Sequence, residues 1–273
     1  MRRVMGREVT LRLGGGRWRT LVVAAILGTC LQAGPPFFTD DPEPVEYHHM
    51  ELYLSWMGLR APDGASGSLP LVEFNAGILP ETQFHLVAPL AYAKPAGGPV
   101  TRGYGDTEVG LKIRLLRETE ALPQVGVFPL VEVPTGTAER GLGTGHTQVY
   151  LPLWLQKSWG PWTSYGGYGW WRNPGEGQRN WHYLGWLLQR DLSERITLGG
   201  ELYRRSAATQ DGVASAGFNV GAIVNLSGRD HVLISAGRNL SGDRETHLYL
   251  GYQATLSLEA GRPRLSGGGA AQP

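Results

Sequence analysis

Histidine and carboxylate side chains occur close together near residue 50, in a pattern that could bind a metal. His48, His49 and Glu51 lie within four positions of one another. In an extended strand, neighbouring residues point to opposite faces, so His49 and Glu51 would act without His48. Two ligands are fewer than a stable zinc site uses. These residues are therefore interpreted as polar wall residues, and the sequence predicts no metal site and no cofactor.

Asp40, Asp41 and Glu43 carry hard oxygen ligands of the kind that calcium prefers. Their spacing is not that of an EF-hand loop. Pro42 and Pro44 interrupt the same run, and proline neither donates a backbone hydrogen bond nor permits a central strand. We expect a solvated, irregular segment over residues 34–45 that docks on one rim of the following domain.

A serine and a histidine suggest hydrolysis at one further place. His231 and Ser235 would share a strand face, but four residues along a strand span about 13 Å, too far for a hydrogen bond. A lipid hydrolase stays open as an alternative, with a catalytic triad whose residues come from different strands. The sequence predicts that the protein is not an enzyme.

The segments that carry these side chains alternate polar and apolar residues, as β-strands do. In the run from Gly105 to Leu115, Asp106, Glu108, Lys112 and Arg114 share one face, while aliphatic residues share the other. The same alternation recurs about a dozen times between residues 46 and 256. An even number of neighbouring hairpins can close without a free edge. This predicts an all-β fold, an antiparallel up-and-down transmembrane β-barrel of about 12 strands.

The connections between the expected strands alternate in length. Odd connections are long and rich in glycine or proline, whereas even ones are shorter, such as LPE, SWGP, DLSER and SGRD. Long loops on one rim and short turns on the other are typical of outer-membrane barrels. A soluble β-sandwich or lipocalin-like barrel is the alternative, and it would turn the apolar parity inward.

The first 33 residues have the features of a secretory signal peptide. Six arginines precede an apolar segment from Leu21 to Leu31, and Ala33-Gly34 supplies small residues at a cleavage point. A retained anchor and a lipidated Cys30 stay open as alternatives. The expected organisation is a leader over 1–33, a periplasmic acidic and proline-rich lead-in over 34–45, a barrel over 46–256 and a polar tail over 257–273. We expect the outer membrane as the location, with both termini in the periplasm.

Charge excludes one class of partner. After residue 33 the sequence holds 19 Lys and Arg against 23 Asp and Glu, so the exported chain would be acidic. It has no basic patch that would attract nucleic acid. The expected partners are outer-membrane lipid, the barrel-assembly machinery during insertion, and a small-molecule solute.

The polar parity predicts which side chains line the lumen. Tyrosine faces there could contact an aromatic ring, while charges of both signs would either line a narrow pore or close it with internal ion pairs. Glu73, Glu132 and other inward residues on neighbouring strands are candidate partners of the basic side chains. Most tryptophans are assigned to a membrane-interface belt. The predicted lumen-lining residues are His49, Glu51, Tyr53, Glu73, Asn75, His85, Asp106, Glu108, Lys112, Arg114, Glu132, Tyr150, Glu201, Tyr203, Arg205, Asn219 and Tyr249.

Several long segments resemble one bacterial family. They include GPPFFTDDPEPVEYHHMELY, GYGDTEVGLKIRLL, PQVGVFPLVEVPTGTAERGLGTG, LPLWLQKSWGPWTSYGGYGWW, GWLLQRDLSERITLGGELY and GFNVGAIVNL. In this respect the chain, from Gly34 to Leu256, is similar to the MetA-pathway of phenol degradation proteins, bacterial outer-membrane transporter barrels. The resemblance implies a channel that admits small hydrophobic or aromatic compounds, and it assigns no catalytic residue. The chain departs from the usual barrel ending because its last strand closes on aliphatic residues rather than an aromatic one. A closed structural or adhesive barrel with partner-binding loops is the alternative function.

Overall fold

The structure, a computed structural model, describes residues 34–257. The leader over 1–33 and all but the first residue of the tail over 257–273 lie outside this range. Fourteen strand segments and one short 3-10 helix at Ala138–Arg140 follow one another along the chain. The strands are β1 His49–Ala61, β2 Gly64–Leu79, β3 Thr82–Pro95, β4 Thr101–Tyr104, β5 Thr107–Leu116, β6 Gln124–Val127, β7 Leu130–Val133, β8 Gln148–Trp159, β9 Trp162–Arg172, β10 Trp181–Ser193, β11 Ile196–Arg205, β12 Ser215–Asn225, β13 Asp230–Ser241 and β14 Thr246–Ser257.

These segments form a closed antiparallel barrel of twelve strands, as the sequence predicts. The segments β4 and β5 are one wall strand, because both pair with β3. Likewise β6 and β7 are one strand, since both pair with β5 and β8, and the break contains Pro129, which cannot donate to a ladder. Strand β14 pairs with β1 from Arg60 to His49, and this contact closes the barrel.

The outer surface of the barrel is apolar. Aliphatic side chains on the outward parity are widely exposed, and the inward parity is mostly buried. A belt of this extent is not stable in water, so the outer surface is suited to lipid and the soluble sandwich is excluded. Members of the belt include Leu54, Leu111, Leu153, Leu184, Leu202, Val220, Ile234 and Leu250. Within residues 34–257, no helix is long and apolar enough to cross a membrane.

The two rims differ as expected, with one correction. The first connection is not a long loop, because β1 and β2 continue to a turn of residues 62–63. The other connections on that rim are residues 96–100, 134–147, 173–180, 206–214 and 242–245. The opposite rim carries residues 80–81, 117–123, 160–161, 194–195 and 226–229. We call these the long-loop rim and the short-turn rim.

The first strand begins at His49 rather than at Glu46. His48 has a positive φ of 67°, which interrupts an extended strand, and Tyr47 makes an isolated parallel bridge with Gly77. The chain therefore reaches the wall at the short-turn rim, three residues later than the alternation predicts.

Candidate lumen and the segment inside it

Residues 34–45, the N-terminal segment, lie inside the barrel. The sequence predicts a solvated segment docked on the rim, but Thr39 and Asp40 have no exposed surface at all. The segment enters at the short-turn rim, where the Val45 N–H donates to Gln83 Oε1 at 2.8 Å. Its apex at Phe38 contacts Tyr203 and His247, which lie near the long-loop ends of β11 and β14. The expectation of a solvated segment is therefore wrong for its central residues.

Glu201 of β11 binds the backbone of this segment. Its carboxylate accepts the N–H of Phe38 at 2.9 Å and the N–H of Thr39 at 2.7 Å. Asn219 on the neighbouring strand donates to the same carboxylate at 2.5 Å. Hydrogen bonds to an ionised acceptor are stronger than neutral ones. Glu201 thus holds two consecutive backbone groups at the apex of the segment.

The apex also contacts aromatic residues. Phe38 packs edge-on against Tyr203 and His247, with ring centroids 5.3 Å and 5.0 Å apart. The hydroxyls of Thr39 and Tyr183 are hydrogen-bonded at 2.9 Å. These contacts fix the segment against strands β10, β11 and β14.

On the other side, the segment supplies counter-charges. Lys112 Nζ lies 2.9 Å from Asp40 and 3.6 Å from Asp41, and Arg114 lies 3.3 Å from Glu43. Arg114 also pairs with Glu81 in the turn at residues 80–81, and this hydrogen bond lowers the pKa of Glu81. The basic side chains thus find their close partners in the segment and the turn rather than at the expected Glu73 and Glu132. The acidic run supplies the carboxylates of these pairs.

Strands β2, β3, β5 and β7 form a charged wall, which we define as Glu73, His85, Glu108, Lys112 and Glu132. His85 lies 3.8 Å from Glu73 and 3.9 Å from Glu108. Glu108 stands directly opposite Glu132 in the β5 and β7 pairing. Glu73 Oε1 accepts from Asn75 at 2.8 Å, but Glu73 Oε2, His85 Nε2 and Glu108 Oε2 are buried without a hydrogen-bond partner among residues 34–257. Like charges directly opposite and buried carboxylate oxygens without a donor are costly, so protons, water or a further cation would stabilise this wall.

Strands β8 to β11 form an aromatic wall, defined as Tyr150, Trp154, Trp171, Trp181, Tyr183 and Tyr203. Trp171 stacks on Tyr150 at 4.6 Å and on Trp181 at 5.4 Å, with interplanar angles of 15° and 8°. Trp154, Trp171 and Trp181 are almost completely buried, so their assignment to the membrane belt is wrong. Their inward parity, shared with Tyr150 and Tyr183, was the signal that could have revealed this wall.

The predicted lumen-lining residues fall into two groups. Five are half-buried, namely His49, Glu51, Asp106, Arg114 and Arg205. The other twelve are buried inside the barrel, namely Tyr53, Glu73, Asn75, His85, Glu108, Lys112, Glu132, Tyr150, Glu201, Tyr203, Asn219 and Tyr249. That any of them contacts a passing solute stays a prediction.

The loop of residues 134–147 covers the long-loop side of the lumen. Asp106 accepts hydrogen bonds from the N–H of Gly136 at 2.9 Å and from the hydroxyl of Thr144 at 2.8 Å. Leu142 is thereby buried. A cavity of about 90 Å³ lies between this loop and Phe38 of the N-terminal segment. Apolar residues make up most of its lining, and Glu108 and Glu132 contribute carboxylates.

The residues weighed for metal binding and hydrolysis have other partners. His49 Nδ1 lies 3.4 Å from the Tyr47 carbonyl, and no group of three metal ligands occurs in the part of the chain that the structure describes. Ser235 donates to the Pro36 carbonyl at 2.5 Å, and His231 is hydrogen-bonded to Asn225 at 2.8 Å. Ser235 and His231 therefore do not act as a pair.

Solved structures that resemble this fold include an outer-membrane channel and two porins. The COG4313 outer membrane channel from Pseudomonas putida F1 aligns with a TM-score of 0.63 and 17% identity, over 79% of this chain and 98% of that one. The NanC porin aligns with a TM-score of 0.52 and 8% identity, over 75% and 100%. The KdgM porin in complex with disordered oligogalacturonate gives 0.51 and 12%, over 74% and 98%. At these identities the likeness establishes a shared fold.

The sequence matches no family model and no curated protein. The resemblance to the MetA-pathway of phenol degradation proteins thus stays a prediction, although the fold agrees with what that resemblance implies.

Proposed function

We propose that the protein is a passive outer-membrane channel for small molecules, including hydrophobic or aromatic ones, whose lumen is narrowed by its own N-terminal segment. The observation that carries this proposal is the contrast between an apolar outer belt and a charged interior filled by a segment that non-covalent contacts hold in place. Lipid outside and water inside require this arrangement. Outer-membrane lipid and the barrel-assembly machinery are then the expected partners, reached through cleavage of the leader.

The cavity above Phe38 supports a small and largely apolar solute. Met57, Leu59, Ala91 and Leu142 contribute apolar surface to it. Pockets for small molecules are mostly apolar with a few polar groups that orient the ligand, and Glu108 would take that role here. Its volume of about 90 Å³ is below that of ordinary ligand pockets, so only a very small molecule would fit unless the segment or the loop moves.

A closed structural or adhesive barrel is the second candidate. The observation that favours it is the number of bonds between the N-terminal segment and the wall, because a network that never opens would serve only rigidity. A lipid hydrolase has no comparable support, since Ser235 and His231 lie apart and the structural neighbours are channels.

Planar-bilayer recording with the purified protein tests the proposal. We expect discrete conductance steps, together with uptake of small apolar solutes into liposomes that contain the protein. A heat-denatured sample is the control for membrane damage. The absence of both conductance steps and solute uptake would contradict the channel and favour the closed barrel.

A further inference from the structure

The start of the N-terminal segment is folded back against Asp40. The Phe37 N–H donates to the Gly34 carbonyl at 3.0 Å, and Ser235 holds the Pro36 carbonyl at 2.5 Å. A Cβ added to Gly34 would lie only 2.6 Å from Asp40 Oδ1. Given ordinary bond lengths, the Gly34 nitrogen is within roughly 5 Å of this carboxylate.

Asp40 has an unused acceptor at this position. It is completely buried, and its Oδ1 accepts from Lys112 Nζ at 2.9 Å and from the Asp41 N–H at 2.8 Å. Its Oδ2 has no hydrogen-bond partner among the described residues. Asp40 and Asp41 together share one close cation, Lys112, so the cluster carries one uncompensated negative charge when both carboxylates are ionised. The Asp41 side chain is 33% exposed, whereas Asp40 is fully buried, so a second cation is most stabilising at Asp40.

We propose that cleavage of the leader between Ala33 and Gly34 creates the missing cation, and that the new α-ammonium group of Gly34 pairs with Asp40 inside the barrel. In this step, hydrolysis by a signal peptidase adds the hydroxyl of water to the Ala33 carbonyl carbon. The released Gly34 amine keeps its hydrogen, gains one from water and takes up a further proton from solvent. In the precursor the same nitrogen is a neutral amide. Processing therefore completes the ion-pair cluster that holds the segment in the lumen.

Glycine at position 34 agrees with this site. Any larger residue would place its Cβ against Asp40 and push the terminal nitrogen and the carboxylate apart. The inference rests on the proposed export through a cleaved leader, and it is independent of whether the barrel conducts.

The first test is the intact mass and N-terminal sequence of the protein extracted from outer membranes. We expect a chain that begins at Gly34. A mature protein that begins at any other residue overturns the proposal.

The second test is the rate at which an amine-acylating reagent modifies the α-amino group at neutral pH. The mature chain would hold few other amines, Lys94, Lys112 and Lys157, so peptide mapping resolves each one. An opposite charge favours the protonated, unreactive form. We expect labelling about tenfold slower than in Asp40→Asn, which corresponds to one unit of protonation equilibrium.

Asp41→Asn is the matched control, because it removes a carboxylate near Lys112 but leaves Asp40 against Gly34. It should accelerate labelling less than Asp40→Asn does, because the carboxylate against Gly34 remains. Gly34→Ala provides an independent variant should Asp40→Asn fail to fold, which heat-modifiable migration on gels would reveal. Gly34→Ala should label faster than the wild type. Two outcomes would overturn the ion pair even if the channel conducts. One is an equal labelling rate in wild type, Gly34→Ala and Asp40→Asn. The other is an equal acceleration of labelling by Asp40→Asn and Asp41→Asn.

Discussion

The charged wall and the aromatic wall of the lumen are stabilised by different means. In the aromatic wall, rings from consecutive strands stack on one another, so the wall is largely complete by itself. In the charged wall, Lys112 obtains its close counter-charges from the N-terminal segment. Three successive residues, Phe38 to Asp40, contact both walls. The aromatic wall thus keeps its shape through its own contacts, whereas the charged wall depends on the N-terminal segment that occupies the lumen.

The largest effect should come from the aromatic wall. Trp171→Ala removes the ring between Tyr150 and Trp181, and truncating a buried tryptophan costs about 3–5 kcal/mol of unfolding free energy. Denaturant unfolding of the detergent-solubilised barrel measures this. Trp170→Ala is the control, because its side chain has the outward parity and should cost less. Equal losses for the two variants would mean that the stack does not stabilise the barrel.

A smaller effect is expected where the charged wall meets the segment. Lys112→Met removes the cation that lies 2.9 Å from buried Asp40, and removing one partner of a buried pair costs about 3 kcal/mol. The segment can avoid this cost by leaving the lumen, so we expect higher conductance together with a moderate loss of stability. Lys157→Met, which breaks a partly exposed pair with Glu118 at the rim, should change neither by much. Unchanged conductance and stability in Lys112→Met would show that the pair does not hold the segment.

The smallest effect is expected within the charged wall. Glu108→Gln removes one of two carboxylates that stand opposite each other, so stability should stay level or rise by up to about 1 kcal/mol. Reversal-potential measurements in a salt gradient should show a weaker preference for cations. Glu139→Gln, on the exposed helix of the long loop, is the matched charge control. A stability loss like that of Trp171→Ala would mean that Glu108 is a structural acceptor and that the two walls are alike.

The wall strands could be predicted from the sequence because lipid imposes a strict period of two. Asp106 to Arg114 alternate with aliphatic residues, and the same rule placed Glu201 and Tyr203 inside. The tryptophans show the limit of arguing from residue type. Interface belts are rich in tryptophan, but Trp154 shares the inward parity of Tyr150, and parity decides its position.

The position of the N-terminal segment could not be predicted, because its partners are remote in sequence. Phe38 and Glu201 are 163 positions apart, and the segment has no periodicity that assigns it to a wall. Acidic and proline-rich composition usually indicates a solvated chain. Lys112 and Arg114 reverse that expectation, because they pair with Asp40 and Glu43 of the segment. These residues come close together only after the barrel has closed.

Whether the N-terminal segment limits passage is tested most directly by comparing two refolded chains, one that begins at residue 34 and one that begins at residue 45. Both retain every wall strand, and heat-modifiable migration checks that each has folded. Because the segment fills the lumen between the two walls, single-channel conductance should rise severalfold when it is removed. Equal conductance in the two chains would contradict the claim that the N-terminal segment limits passage through the barrel.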